Sequence, residues 1–354
     1  MIASHYHKGR RKGRKVAMFH VLSILAVCLF GAGSLTAGGK IIIAHRGASG
    51  YLPEHTLPAV ALAHAMGADF LEQDVVLSKD DTPLVLHDIV IDTVTDVAKH
   101  FPDRRRADGR YYAIDFTLAE LKQLQATERF NPKTGQAVYP NRFPLGQSSF
   151  QIPTLEEELQ LIQGLNKTTG RSAGIYPEIK APAWHRQQGK DISRIVLAVL
   201  ARYGYRSKSD AIFLQCFDFD EVKRIRKELA YPGRLIQLIG ENSSGESTTD
   251  YNRLRTPQGL EEVATVADGI GPAIHQVVSG KKDNRLQITD LVKNAHAVGL
   301  EVHPYTLRAD ALPPYATSLE ELLHIFFLEA QVDGVFTDQC DRGVAFLRTK
   351  FAHP

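Results

Sequence analysis

The sequence predicts a closed (β/α)8 barrel of the TIM type, and three observations carry that prediction. Eight apolar runs rich in β-branched residues recur along the chain, helical segments with readable starts separate most of them, and polar residues cluster at the C-terminal ends of many different runs. Strands buried on both faces in a parallel sheet read as continuous apolar stretches, and their alternation with helices defines an α/β architecture. A barrel spreads its polar groups over the whole C-terminal rim, whereas an open doubly wound sheet gathers them at one switch point. The chain carries no glycine-rich phosphate loop and no internal repeat.

Taken in order, the first element is an export signal over residues 1–37. Lys8, Arg10, Arg11, Lys12, Arg14 and Lys15 precede an apolar stretch over 16–30, and small residues follow up to Gly39. The apolar run of about 15 residues is shorter than the roughly 20 needed to cross a bilayer. A signal peptide cleaved between Ser34 and Gly39 is therefore expected, with a periplasmic destination and no stable membrane insertion afterwards. Cys28 follows Val27, where a lipid-anchoring signal would carry a smaller residue, so general secretion is expected over a lipoprotein. The leader holds six of the 42 basic residues and no acid, which leaves 36 basic against 40 acidic residues, a net charge of −4. Nothing in that balance asks for a nucleic-acid partner.

The barrel domain is expected over 40–354, with strands at 40–44, 70–77, 174–179, 211–217, 234–239, 267–270, 300–304 and 334–337. Thr154-Leu155-Glu156-Glu157 and Ser318-Leu319-Glu320-Glu321 fit capping boxes, and Asp191 opens a helix that should stop near Gly204. Residues 92–150 break the alternation with Asp103-Arg104-Arg105-Arg106, the pair Tyr111-Tyr112 and several Gly, Pro and Asn. They are expected to form an insertion after the second strand, folded over the barrel mouth, with Arg104 to Arg106 in a solvated loop. Cys216 and Cys340 end the fourth strand and follow the eighth, on opposite sides of a barrel. Bridged Cα atoms must lie within about 7 Å, so free thiols are expected.

The chemistry-bearing residues fall at the strand ends. Glu72 and Asp74 are two apart on a strand and therefore share a face; Glu178 ends the next barrel strand, and Lys180 shares its face. Three inward carboxylates repel one another and raise their pKa values unless a cation neutralises them. Oxygen ligands select a hard ion, and in an exported protein Ca2+ is expected ahead of Mg2+. His45 and His87 flank the carboxylate pair in sequence and are the acid/base candidates. Arg46 can grip a phosphate in a fork, and Lys180 can act as a point charge. His64, His100, His185, His275, His296, His324 and His353 fall in helices, loops or the tail, and His303 is expected to support or pack. A cation, an arginine and two proton carriers are what phosphodiester cleavage requires.

His45-Arg46-Gly47, Pro53-Glu54, Glu72-x-Asp74, His87-Asp88, Pro177-Glu178-Ile179-Lys180 and Asp333-Gly334 to Asp338 resemble the glycerophosphodiester phosphodiesterase family across essentially the whole mature chain. Leu52-Pro53-Glu54-His55-Thr56, Asp108-Gly109-Arg110-Tyr111-Tyr112, Leu214-Gln215-Cys216-Phe217-Asp218 and His303-Pro304-Tyr305-Thr306 resemble its periplasmic branch from Gram-negative bacteria. The resemblance implies a barrel with an insertion after the second strand and Ca2+-dependent hydrolysis of a small-molecule glycerophosphodiester to sn-glycerol 3-phosphate and an alcohol. It implies Glu72, Asp74 and Glu178 as metal ligands, His45 and His87 as the acid/base pair, Arg46 and Lys180 as phosphate contacts, and Glu54 and Gln215 as supporters near the substrate. Thr93 and the stretch 337–341 depart from the family pattern and are expected to lie clear of these residues. Two other readings differ in what they require. A barrel acting on intact lipid needs an exposed apolar rim, which the polar insertion lacks; a non-catalytic envelope binding protein would be expected to lack a histidine or a carboxylate.

Overall fold

The computed structural model describes residues 39–351, so the export signal, Cys28 and His353 lie outside the described residues. Eleven strands are present among those residues: β1 (Ile41–Ala44), β2 (Phe70–Leu77), β3 (Pro83–Val85), β4 (Gly174–Ile179), β5 (Phe213–Cys216), β6 (Arg234–Ile239), β7 (Gly269–Pro272), β8 (Val278–Lys282), β9 (Arg285–Ile288), β10 (Glu301–Val302) and β11 (Gly334–Thr337). Eight of them run parallel in the order β10-β7-β6-β5-β4-β2-β1-β11. The ring is completed where Asp333 N–H donates to Val302 O (3.0 Å), Phe336 N–H to Pro304 O (3.1 Å) and Leu307 N–H to Phe336 O (2.8 Å). The predicted (β/α)8 barrel is what the chain forms. The strand expected over 300–304 is regular only at Glu301–Val302, since Pro304 has no N–H to continue a ladder. Two hairpin elements escaped prediction: β3, antiparallel on β2, and the separate β8–β9 pair.

The helix Leu155–Thr169 begins at Thr154 with both halves of its capping box and ends at Gly170 in the left-handed region. Ser318 caps Leu319–His324, but Glu321 reaches back to Thr317 rather than to Ser318. Asp191 caps Ile192–Arg202. One apolar core lies between the strands and these helices. A second plugs the barrel interior with Ile43, Phe70, Tyr176, Phe213, Ile236 and Phe336, and His303 packs there with Nδ1 2.9 Å from Tyr176 Oη. The plug closes the barrel below the level of Asp74, Glu178 and Gln215, which register side by side on β2, β4 and β5.

Within residues 92–150, Val94, Val97, Tyr111, Phe116, Leu121 and Leu124 pack with Val76 and Leu84 into a cluster of their own. Arg104 and Arg106 are not simply solvated. Arg104 pairs with Glu120 (2.9 Å), and Arg106 pairs with Asp115 (2.7 Å) while lying 4.2 Å from the centroid of Tyr112. Acids and aromatics brought close by the folded segment convert that charge run into internal ties. Cys216 and Cys340 are buried and free.

Candidate active site

The turn after β1 is the first piece of the site. Arg46 adopts φ 57, a left-handed conformation that costs a non-glycine residue on the order of 1–3 kcal/mol, and its N–H donates to Glu72 Oε2 at 2.6 Å. Gly47 follows at φ +80, and a Cβ there would sit 2.9 Å from the Ala59 carbonyl carbon. The tight turn needs glycine for that approach. His55, also left-handed at φ 57, donates its N–H to Arg46 O at 3.0 Å, so two strained turns brace one another.

At the C-terminal end of the barrel, a chamber of about 90 Å³ is lined by His45, Arg46, Glu72, Asp74, His87, Glu178 and Gln215 among others. A second of about 200 Å³ lies beside it, sharing His45, Arg46 and His87 and adding Glu54, Arg129, Arg142 and Asp338. Burial, reinforced by the Asp74 charge, pushes Glu72 well above the ordinary carboxylate range. Burial likewise raises Glu178, against the pull of Lys180. Asp74 goes the other way: burial alone would raise it, but His87, Lys180 and His55 hold it well below its usual value. Glu72, Asp74 and His55 form one group whose ligand atoms all lie within 4.8 Å of one another. His55 Nε2 lies 2.7 Å from Asp74 Oδ2; because Asp74 is ionised it can only accept, so this nitrogen donates and is not free to ligate. Glu178 faces the same chamber, but Lys180 Nζ stands 2.7 Å from its Oε1. Gln215 Oε1 is buried without a hydrogen-bond partner among the described residues. Buried carboxylates, two of them raised by burial and mutual repulsion, beside an orphaned amide oxygen fit a hard divalent cation.

The two histidines are built alike. His45 Nδ1 lies 2.7 Å from Asp338 Oδ1, and His87 Nδ1 lies 2.6 Å from Asp88 Oδ1. Although burial pushes both aspartates up, Arg308 and His45 hold Asp338 far below the usual range, and the contacts with His87 and Arg129 do the same for Asp88. Ionised carboxylates accept, so each Nδ1 carries the proton and each Nε2 of the neutral ring is left as an acceptor. Burial, then the Arg46 charge, lowers His45 to about 3; burial, then Arg46 and Lys180, lowers His87 to about 4. Both are neutral at neutral pH. Arg46 Nη1 is held by Glu54 at 3.1 Å to each oxygen. Lys180 is buried against Glu178, Asp74 and Glu246 and lines neither chamber.

The model of the glycerophosphoryl diester phosphodiesterase family matches residues 45–342. A glycerophosphodiester phosphodiesterase of Haemophilus influenzae is 48% identical over 327 residues, 87% of this chain and 90% of that protein. The chain belongs to the glycerophosphoryl diester phosphodiesterase family. A second relative, the glycerophosphodiester phosphodiesterase of Treponema pallidum, is 42% identical over 329 residues, 88% of this chain and 92% of its own length. Among solved structures, a family protein of Silicibacter pomeroyi superposes with a TM-score of 0.65 at 23% identity, covering 89% of this chain and 95% of that one. An Oleispira antarctica phosphodiesterase in complex with sn-glycerol-3-phosphate gives 0.59 at 20% identity, covering 87% and 96%. These structural likenesses bear on the fold.

Sequence reasoning passed over His55, Asp338, Asp88 as a partner of His87, and Arg129, Arg142 and Arg308. His55 stood beside Glu54 in a quoted motif, and Asp338 follows the eighth strand, so each had a positional signal. Arg129 and Arg142 had none. The expectation that the stretch 337–341 stays clear of the site residues is corrected. Asp338 bonds His45 directly, because β11 pairs with β1 and brings the residue after it to the end of β1; Thr93 touches none of the residues named for the site, its Oγ1 lying 3.4 Å from Arg129 Nη1.

Proposed function

We propose that this chain hydrolyses glycerophosphodiesters to sn-glycerol 3-phosphate and an alcohol, with a divalent cation, Ca2+ ahead of Mg2+, and with His45 and His87 as the proton carriers. The observation that carries the reading is the matched pair of histidines: two buried imidazoles, each with Nδ1 committed to an ionised aspartate, line one chamber with Glu72, Asp74 and Glu178. The relatives from Haemophilus and Treponema support the substrate class. Glu72, Asp74 and Glu178, with Gln215 Oε1 nearby, would hold the cation, which when bound offsets phosphoryl charge and orients hydroxyl oxygens.

A neutral imidazole is a base, so one histidine takes the nucleophile's proton, while the other must be protonated to deliver one to the leaving alkoxide. The positive charges of Arg46 and Lys180 contribute to keeping His87 neutral. An anionic phosphodiester docked on Arg46 offsets those charges and lifts the neighbouring histidine toward its protonated form, coupling substrate binding to the readiness of the acid. Glu54 aims Arg46 at the phosphate, and Lys180, which does not line the chamber, balances the charges of Glu178 and Asp74 from behind them. Export to the periplasm, with residues 1–37 as the signal, completes the proposal; among the described residues no helix is long and apolar enough to cross a membrane.

The test is release of glycerol 3-phosphate from glycerophosphocholine with and without Ca2+, by the wild type and by His45→Ala and His87→Ala. Folded variants are expected to lose turnover; near-normal rates in both would remove the proposal. Intact phosphatidylcholine is expected to be a poor substrate.

A further inference from the structure

The two aspartates behind the histidines are not held by the barrel alone. Arg129 Nη1 lies 2.6 Å from Asp88 Oδ2, on the carboxylate whose other oxygen meets His87. The same guanidinium places Nη2 2.6 Å from Glu54 Oε1 and Nε 3.1 Å from Glu54 Oε2, on the carboxylate that clamps Arg46. Arg142 Nη2 lies 2.6 Å from Asp338 Oδ2, and Asp338 Oδ1 meets His45. Arg142 is itself fixed by two bonds to Asp310, at 2.8 and 2.9 Å, and by the carbonyl of Ser49 at 3.2 Å. Both arginines come from the inserted segment and both are largely buried, with side chains 18% and 5% exposed.

We propose that Arg129 and Arg142 are positioning residues through which the insertion assembles the proton-transfer pair, each locking the aspartate that orients one histidine. This rests on the reading of His45 and His87 given above. The chemistry asks for such a device. An Asp–His pair holds a useful tautomer only if the carboxylate is oriented so that one oxygen faces the imidazole, and a planar guanidinium on the other oxygen sets that orientation. The supports differ in redundancy. Asp338 has a second guanidinium, Arg308 Nε at 2.7 Å, while among the described residues the other contacts of Asp88 Oδ2 are limited to Thr93 Oγ1 at 3.5 Å. Arg129 also ties the acid/base group to the phosphate grip through Glu54. The insertion is thereby part of the catalytic apparatus and does more than roof the mouth.

The test is steady-state kinetics of Arg129→Gln and Arg142→Gln in the whole chain on two esters of glycerol phosphate, one with choline and one with 4-nitrophenol as leaving group. Arg142→Gln is expected to lower kcat on the choline ester about 10-fold with KM within about threefold. Arg129→Gln is expected to lower kcat about 10- to 100-fold and to raise KM, because the same guanidinium holds Glu54; losses of this size are typical when the group orienting a functional histidine is removed. Nitrophenolate leaves without a proton, so the variant that disturbs the proton-donating histidine should keep most of its rate on that ester. A general structural lesion would depress both esters alike. If the Gln variants do not fold, Arg129→Lys and Arg142→Lys carry the measurement, since an ammonium keeps the charge but cannot fork across two groups. Retention of kcat within twofold by both folded variants, or equal losses on both esters in both, overturns the inference. An inactive wild type would instead refute the proposed function.

Discussion

Replacing Asp338 by asparagine removes one charge and almost no volume from a carboxylate that is 1% exposed and accepts from three donors: His45 Nδ1 at 2.7 Å, Arg142 Nη2 at 2.6 Å and Arg308 Nε at 2.7 Å. A bond to a charged group contributes about 1.5–3 kcal/mol against about 0.5–1.5 for a neutral one. Three bonds weakened by about 1 kcal/mol each give about 3 kcal/mol. The amide must also turn its NH2 toward His45 or toward the arginines, and the mismatch adds about 1–3 kcal/mol. A loss of about 4–6 kcal/mol is therefore expected in denaturant melts at neutral pH, at or just above the range of about 3–5 kcal/mol seen when one partner of a buried ionic contact is removed. Activity should suffer more than stability suggests. If the NH2 faces His45, Nδ1 becomes the acceptor, the ring proton moves to Nε2, and the reactive nitrogen is blocked, for a fall in kcat of about 10²–10⁴. Glycerol 3-phosphate release, assayed where the variant is more than nine-tenths folded, measures it. Turnover within threefold of wild type would refute the assignment of Asp338 as the group that sets the His45 tautomer.

Three further outcomes are expected. Glu128, pushed up from 4.5 to about 7 by burial and the neighbouring Glu54 charge, binds its proton more tightly folded than unfolded, so its contribution to stability is present below pH 4.5 and lost as pH rises to 7; Glu128→Gln should gain about 1–3 kcal/mol on wild type between pH 5 and pH 8, and a pH-independent difference would contradict this. Gly174→Ala would bring a Cβ to 2.4 Å from Phe70 Cε1 and 2.7 Å from Ala211 O at the barrel plug, and should cost about 1–3 kcal/mol; an unchanged melting midpoint would show that the plug gives way. Ca2+ at about 100 times its Kd should stabilise the folded chain by about 2.7 kcal/mol and Glu72→Gln should remove most of that gain; equal shifts in both proteins would place the ion elsewhere.

The sequence by itself determined the barrel, because continuous apolar strands, capped helices and strand-end polar residues are local signals that survive without knowledge of packing. It also determined which strand ends bear carboxylates and histidines: the spacing of Glu72 and Asp74 settles their shared face, and the ladder pairing Asp74 with Glu178 follows from strand order. Only the tertiary structure decided how those groups are held. His55 reaches Asp74 because two left-handed turns brace one another. Asp338 meets His45 because β11 closes the ring beside β1, an approach across 293 residues of chain. Arg129 and Arg142 lie in a segment without periodicity, so nothing local marks them out from the arginines at 104 to 106. Side-chain protonation belongs to the same class: burial and the arrangement of charges set the states of His45, His87 and Glu72, and both are properties of packing rather than of residue type.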